Sequence, residues 1–132
     1  MADTFARTTP GAGRVTILVV EDEPLIRCDM AQMLSELGVV VLEAASADEA
    51  WDFLARGEKV DLVFSDICTP GSMNGAELAG RIKENYPNLA VVLTSGHAGF
   101  AEMPAQVLRK PYRIGETAAV LAAQARKTRQ SG

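Results

Sequence analysis

Short β-branched apolar runs alternate along this chain with longer stretches whose apolar positions recur at helical spacing. Val15-Thr-Ile-Leu-Val-Val20 reads as a strand covered on both faces. Pro24 opens a helix in which Ile26, Met30, Met33, Leu34 and Leu37 recur on one side, and Gly38 stands where a C-terminal cap belongs. Val39 to Glu43 reads as a second strand. Ser46-Ala-Asp-Glu49 then forms a capping box for a helix carrying Ala50, Phe53 and Leu54 and ended by Gly57. Val60 to Ser65, a helix from Asn74 to Asn85 stopped before Pro87, and Leu89 to Thr94 repeat the alternation.

A short fifth strand from Gln106 to Arg109 and an Ala-rich helix from Tyr112 to about Lys127, with Ile114, Ala118 and Leu121 inward, complete the pattern. The segment His97 to Pro104, with Gly99 and Pro104, leaves space for about two turns, so the fourth helix is expected as a stub or a loop. Strands separated by helices predict a parallel sheet with helices on both faces and a ligand crevice at the carboxyl ends of the strands. Residues 1–13 have no period and read as a flexible tail, 14–128 as one domain, and 129–132 as a C-terminal tail.

Composition narrows the function classes. The 132 residues are 48% hydrophobic, enough for one core, and the formal charge is −4 with a pI near 5.0. No basic stripe is present, which argues against direct nucleic-acid binding. Cys28 and Cys68 lack metal-ligand spacing with His97 and read as reduced thiols, Cys28 as core filler on the first helix. Met30 and Met33 read as core, Trp51 as a partly exposed residue of the second helix, and His97 as a solvated loop residue without a role. No stretch reaches the roughly 18 apolar residues of a membrane span, and the N-terminus has no signal-peptide core; a cytoplasmic location is expected.

The chemistry sits at strand ends. Glu21 and Asp22 follow the first strand, Asp66 ends the third, Thr94 ends the fourth and Lys110 follows the fifth. Taken singly, each has a plain reading: acids at a helix start, a solvated lysine, a β-branched strand residue. In one crevice they become a site. Three neighbouring carboxylates stay ionised only if a cation offsets their repulsion, and Mg2+ prefers such oxygen ligands while keeping waters for a phosphoryl group.

Four segments carry a resemblance: Ile17-Leu-Val-Val-Glu-Asp-Glu-Pro-Leu-Ile26, Asp61 to Gly75, Val91-Val-Leu-Thr-Ser-Gly96 and Lys110-Pro-Tyr112. In this order and spacing the chain resembles the response-regulator receiver domain of two-component signalling, from about Val15 to Ala125, and most of all its short stand-alone type. The resemblance implies a flavodoxin-like α/β fold, a five-stranded parallel sheet in the order 2-1-3-4-5. It implies that Asp66 accepts a phosphoryl group from a sensor histidine kinase or a histidine phosphotransfer protein. Asp22 would bind Mg2+ directly, Glu21 through water, and the Cys68 backbone carbonyl would complete the protein ligands. Thr94 and Lys110 would bind the phosphoryl oxygens, and small Ser95 would leave the pocket open. No output domain is expected after the last helix, and the downstream target is unknown.

Departures from the family pattern are also legible. Glu21 stands where aspartate is usual and shifts the carboxylate by roughly 1.5 Å, one bond length; magnesium binding is expected to survive. The loop from Asp66 to Gly75 is one residue longer, and Thr69 stands where methionine is frequent. The Thr94 to Lys110 interval is several residues short, and Val107 replaces the aromatic that usually moves with the threonine. Two other functions compete. One is a receiver-like interaction module independent of phosphorylation, against which the intact acidic set and Lys110 count. The other is a flavodoxin-like or phosphohydrolase enzyme, which lacks a phosphate loop at Glu21-Asp22-Glu23 and a separate general acid. The chain is expected to catalyse only its own phosphorylation and dephosphorylation.

Overall fold

An interior strand of the sheet, β1 (Thr16–Val20), is buried at every position after the first, as its apolar, mostly β-branched run requires. A computed structural model of the chain describes residues 14–96 and 105–131. The expected tail 1–13, His97 and the expected helical stub lie outside the described residues. After β1 come α1 (Pro24–Glu36), β2 (Val40–Ala44), α2 (Ala47–Ala55), β3 (Leu62–Asp66), α3 (Gly75–Asn85), β4 (Ala90–Ser95), β5 (Gln106–Arg109) and α4 (Ile114–Ser131). All strand pairs are parallel and the order is β2-β1-β3-β4-β5. The alternation predicted the parallel sheet, and its flavodoxin-like order is the one that the resemblance implied.

Side-chain alternation along the strands divides the core. Ile17, Val19, Leu62, Phe64 and Val92 point to one face, where Met30 and Leu34 of α1 and Ala118, Leu121 and Ala122 of α4 cover them. Leu18, Val20 and Val63 point to the other, against Ala50 and Leu54 of α2 and Leu78 and Ile82 of α3. A smaller cluster of Ile67, Ala79 and Leu93 lies beside it, with Val107 packed on it. Edge strands β2 and β5 are only partly covered.

Helix ends follow local chemistry. Pro24 occupies the first turn of α1, and Gly38 and Gly57 take positive φ just past α1 and α2. Asn74 and Glu77 form a reciprocal capping box on α3. On α2 the Ser46 hydroxyl accepts the Glu49 N–H, but the Glu49 carboxylate reaches past Ser46 to the Ala45 N–H.

Several expectations are corrected. Cys28 is exposed rather than core, because Met30, Ala31 and Leu34 define the buried stripe of α1 and Cys28 projects away from it. Ile26 and Leu37 are exposed for the same reason. The last helix runs to Ser131, so residues 129–131 continue it rather than forming a tail; Thr128 to Ser131 contain no glycine or proline to stop it. Trp51, by contrast, is partly exposed as expected, edge-on to Tyr86 with ring centres 5.9 Å apart.

Candidate functional site: an acidic cluster at the sheet switch point

Between β1 and β3 the chain changes direction across the sheet, and their carboxyl ends leave a crevice. Glu21 and Asp22 leave β1 there. The Glu21 backbone N–H is held by the Ala44 carbonyl at 3.0 Å, and the Arg27 guanidinium donates to the Glu21 carbonyl at 2.8 Å. Arg27 also pairs with Glu43 at 3.2 Å, so it ties the acidic turn to the end of β2. Nothing in the sequence pattern singled out Arg27; only its one-turn offset from Glu23 could have suggested it.

Asp66 closes β3 opposite Thr94 of β4 in the parallel register. Its neighbour Ile67 donates to the Thr94 carbonyl at 3.0 Å and accepts from Gly75 N–H at 2.8 Å, fixing where the strand turns into the loop. Gly75 is obligatory here: a side chain would collide with the Asp66 carbonyl oxygen. Lys110 follows β5, and its backbone N–H donates to the Ser95 carbonyl at 2.8 Å.

These anchors bring the charged groups together. One carboxylate oxygen from each of Glu21, Asp22 and Asp66 lies within 4.8 Å of the others. The Lys110 ammonium donates to Asp66 Oδ2 at 2.8 Å, while Cys68 N–H reaches Asp66 Oδ1 at 3.3 Å. Glu21 is buried and Asp22 exposed, with Asp66 between. The extra methylene of Glu21 lets Oε2 curl back to accept the Glu23 N–H at 3.0 Å. Thr94 and Ser95 are buried at the floor.

The electrostatics show an excess of negative charge. Burial pushes the Glu21 carboxyl up and the Asp66 charge adds to this, against the pull of the Glu23 N–H and Lys110. Burial alone would lower Lys110, but its hydrogen bond to Asp66 and the charges of Asp66 and Glu21 prevail and leave it raised. Three carboxylates thus face one ammonium. Their hard oxygen donors fit a divalent cation such as Mg2+, whose charge would relieve the repulsion that the lysine only partly offsets.

Residues 17–111 match the family described as response regulator receiver domain. The chain belongs to that family. It is 33% identical over 120 residues to the sensor kinase CckA of Brucella abortus, covering 85% of this chain. It is 33% identical over 113 residues to the transcriptional regulator NtrC of Azospirillum brasilense, covering 80% of this chain. The chain spans only 13% and 23% of those two proteins. Among solved structures, the response regulator TrrA of Thermotoga maritima, in complex with Mg2+ and a beryllium fluoride, is 28% identical with a TM-score of 0.73, covering 83% of this chain and 98% of that one. The receiver domain is a phosphoacceptor unit of two-component signalling, and such domains bind Mg2+ and interact with histidine kinases or phosphotransfer proteins. Among the described residues no helix is long and apolar enough to cross a membrane.

The structure therefore brings Glu21, Asp22, Asp66 and Lys110 into one cluster, with Thr94 beneath and the Cys68 backbone beside Asp66. Val107, in the place of the relay aromatic, pairs in register with Leu93 rather than Thr94 and packs in the third core cluster. The nearby aromatic Tyr112 is engaged elsewhere, edge-on to Phe64 with ring centres 5.9 Å apart.

Proposed function

We propose that Asp66 is the phosphoacceptor and that Glu21, Asp22, Asp66 and the Cys68 backbone carbonyl hold Mg2+ beside it. The observation that carries this reading is the Asp66–Lys110 pair at 2.8 Å inside a three-carboxylate cluster. One Asp66 oxygen attacks the phosphorus of a phosphohistidine on a sensor kinase or phosphotransfer protein. As the new O–P bond forms, the N–P bond breaks and its electron pair stays on the imidazole nitrogen, which then takes a proton. Bound Mg2+ supplies charge neutralisation at the phosphoryl oxygens.

The chain's own residues do the rest. Lys110 moves its N–H from Asp66 Oδ2 to a phosphoryl oxygen and offsets the charge gathered there. Cys68 N–H holds the other Asp66 oxygen and so fixes the carboxylate plane. Thr94, the lateral neighbour of Asp66, donates its hydroxyl to the acyl phosphate once formed. Hydrolysis reverses the state by attack of water on phosphorus, returning the Asp66 carboxylate. The output is altered binding of a protein partner, in the cytoplasm, without direct contact to nucleic acid.

Incubation with Mg2+ and acetyl phosphate tests this by intact mass. One phosphoryl group is expected on the wild type and none on Asp66→Asn; equal labelling of both, or of neither, would overturn the assignment.

A further inference from the structure

Cys68 lies in the eight-residue connection between Asp66 and α3, and the connection is held at both ends. Ile67 is buried and bonded to Thr94 and Gly75, while Met73 is buried ahead of the Asn74 cap. Its middle, Cys68 to Ser72, is exposed apart from Thr69. Within this stretch Thr69 makes a local bond, from its hydroxyl to the Met73 carbonyl at 3.2 Å. The Asp48 side chain reaches this stretch from outside the loop. Asp48, on the first turn of α2, accepts the Ser72 N–H on Oδ2 at 2.9 Å and the Ser72 hydroxyl on Oδ1 at 2.7 Å.

Both oxygens of one carboxylate thus grip one loop residue, across 24 positions of sequence. Gly71 makes the approach possible: it takes a φ of +107°, and a side chain there would collide with Asp48 Oδ2. The Ser72 hydroxyl, followed by the Ser72 and Met73 backbone N–H groups, holds the Asp48 carboxyl below its ordinary range.

We propose that Asp48 is a positioning residue for the magnesium site: by clamping Ser72 it fixes the loop that presents the Cys68 carbonyl. The proposal rests on the magnesium site proposed above. Without the clamp the segment from Cys68 to Ser72 samples more conformations, and the cation must order it on binding. Affinity for the cation falls, while the reaction of the loaded site is unchanged, because Asp66 and Lys110 are held by β3 and β5 instead.

Calorimetric titration of the full chain with Mg2+, together with labelling rates from acetyl phosphate at increasing Mg2+, separates these effects. Asp48→Ala is expected to weaken Mg2+ binding about tenfold and to reach the wild-type rate at saturating Mg2+. Ser72→Ala, which keeps the backbone bond, weakens it less and adds nothing in the Asp48→Ala background. Wild-type affinity in Asp48→Ala overturns the proposal. So does a rate deficit that saturating Mg2+ does not restore, or additive effects of the two substitutions, which would reduce Asp48 to a charge at the start of α2. If Asp48→Ala does not fold, Asp48→Asn and Ser72→Ala carry the same comparison. Failure of the wild type itself to bind Mg2+ or take a phosphoryl group would instead reject the underlying site.

Discussion

Asp61 and Asp66 lie at opposite ends of the same strand approach, five residues apart, and each meets a cation from the C-terminal part of the chain. Asp61 Oδ2 accepts the Thr16 N–H at 2.8 Å, and Oδ1 lies 3.9 Å from the Arg129 guanidinium. Around it opens a cavity of about 690 Å³, lined in part by Leu54, Lys59, Tyr86 and Leu89. Asp66 is paired more closely, at 2.8 Å, yet its lysine also feels the charge of Glu21, and Asp22 lies in the same cluster. The larger cavity therefore does not mark the chemistry in this molecule. At the amino end of the sheet the carboxylate is answered by protein groups; at the carboxyl end two acids remain in excess, which makes a further cation favourable.

Charge removal at the two aspartates should separate the two ends of the sheet most sharply. Asp66→Asn should abolish the acyl phosphate, whereas Asp61→Asn should label as fully as the wild type with acetyl phosphate, both read by intact mass. Loss of labelling in Asp61→Asn would make the two ends functionally linked. Next in size, Lys110→Ala should slow labelling about 100-fold at saturating Mg2+, the scale of losing one preorganised charge donor; stopped-time mass spectrometry reads it, and a wild-type rate would remove Lys110 from the reaction.

The structural end should respond in stability instead. Asp61→Ala deprives the Thr16 N–H of its side-chain acceptor, a loss of about 1–2 kcal/mol in urea unfolding, with Mg2+ affinity unchanged. The smallest effect concerns pH in the presence of chelator. Because Glu21 ionises at higher pH in the folded protein than in the unfolded chain, its contribution to stability is fully present below the ordinary value of 4.5. It is lost as pH rises through the raised value. Glu21→Gln should remove that decline in a series of unfolding curves against pH; an unaltered decline would place its origin outside the acidic cluster.

Much of this was legible in the residues. The unbroken apolar runs gave β1, β3 and β4 to within two residues at each end, since strands buried on both faces tolerate little else. Glu21, Asp22, Asp66, Thr94 and Lys110 could be placed together because parallel strands all end at one edge. Helix faces were harder. Ile26, Cys28 and Leu37 fit an apolar stripe on paper, yet α1 meets the sheet along Met30, Ala31 and Leu34, a narrower stripe set by the docking of α4. Asp48 was legible only as one letter of a capping box, and its grip on Ser72 depends on how α2 lies beside the loop.

By itself the sequence determined the order of elements, the parallel sheet and the set of charged residues at its carboxyl edge, because these follow from local periodicity and from the rule that crossovers return to the same end. Tertiary structure alone decided the pairings: Lys110 with Asp66, Arg27 with the Glu21 carbonyl, Asp48 with Ser72. Such contacts join residues far apart in the chain through distances of a few ångströms, and hydrogen bonds of that length depend on how helices and loops seat against the sheet, which no periodicity encodes.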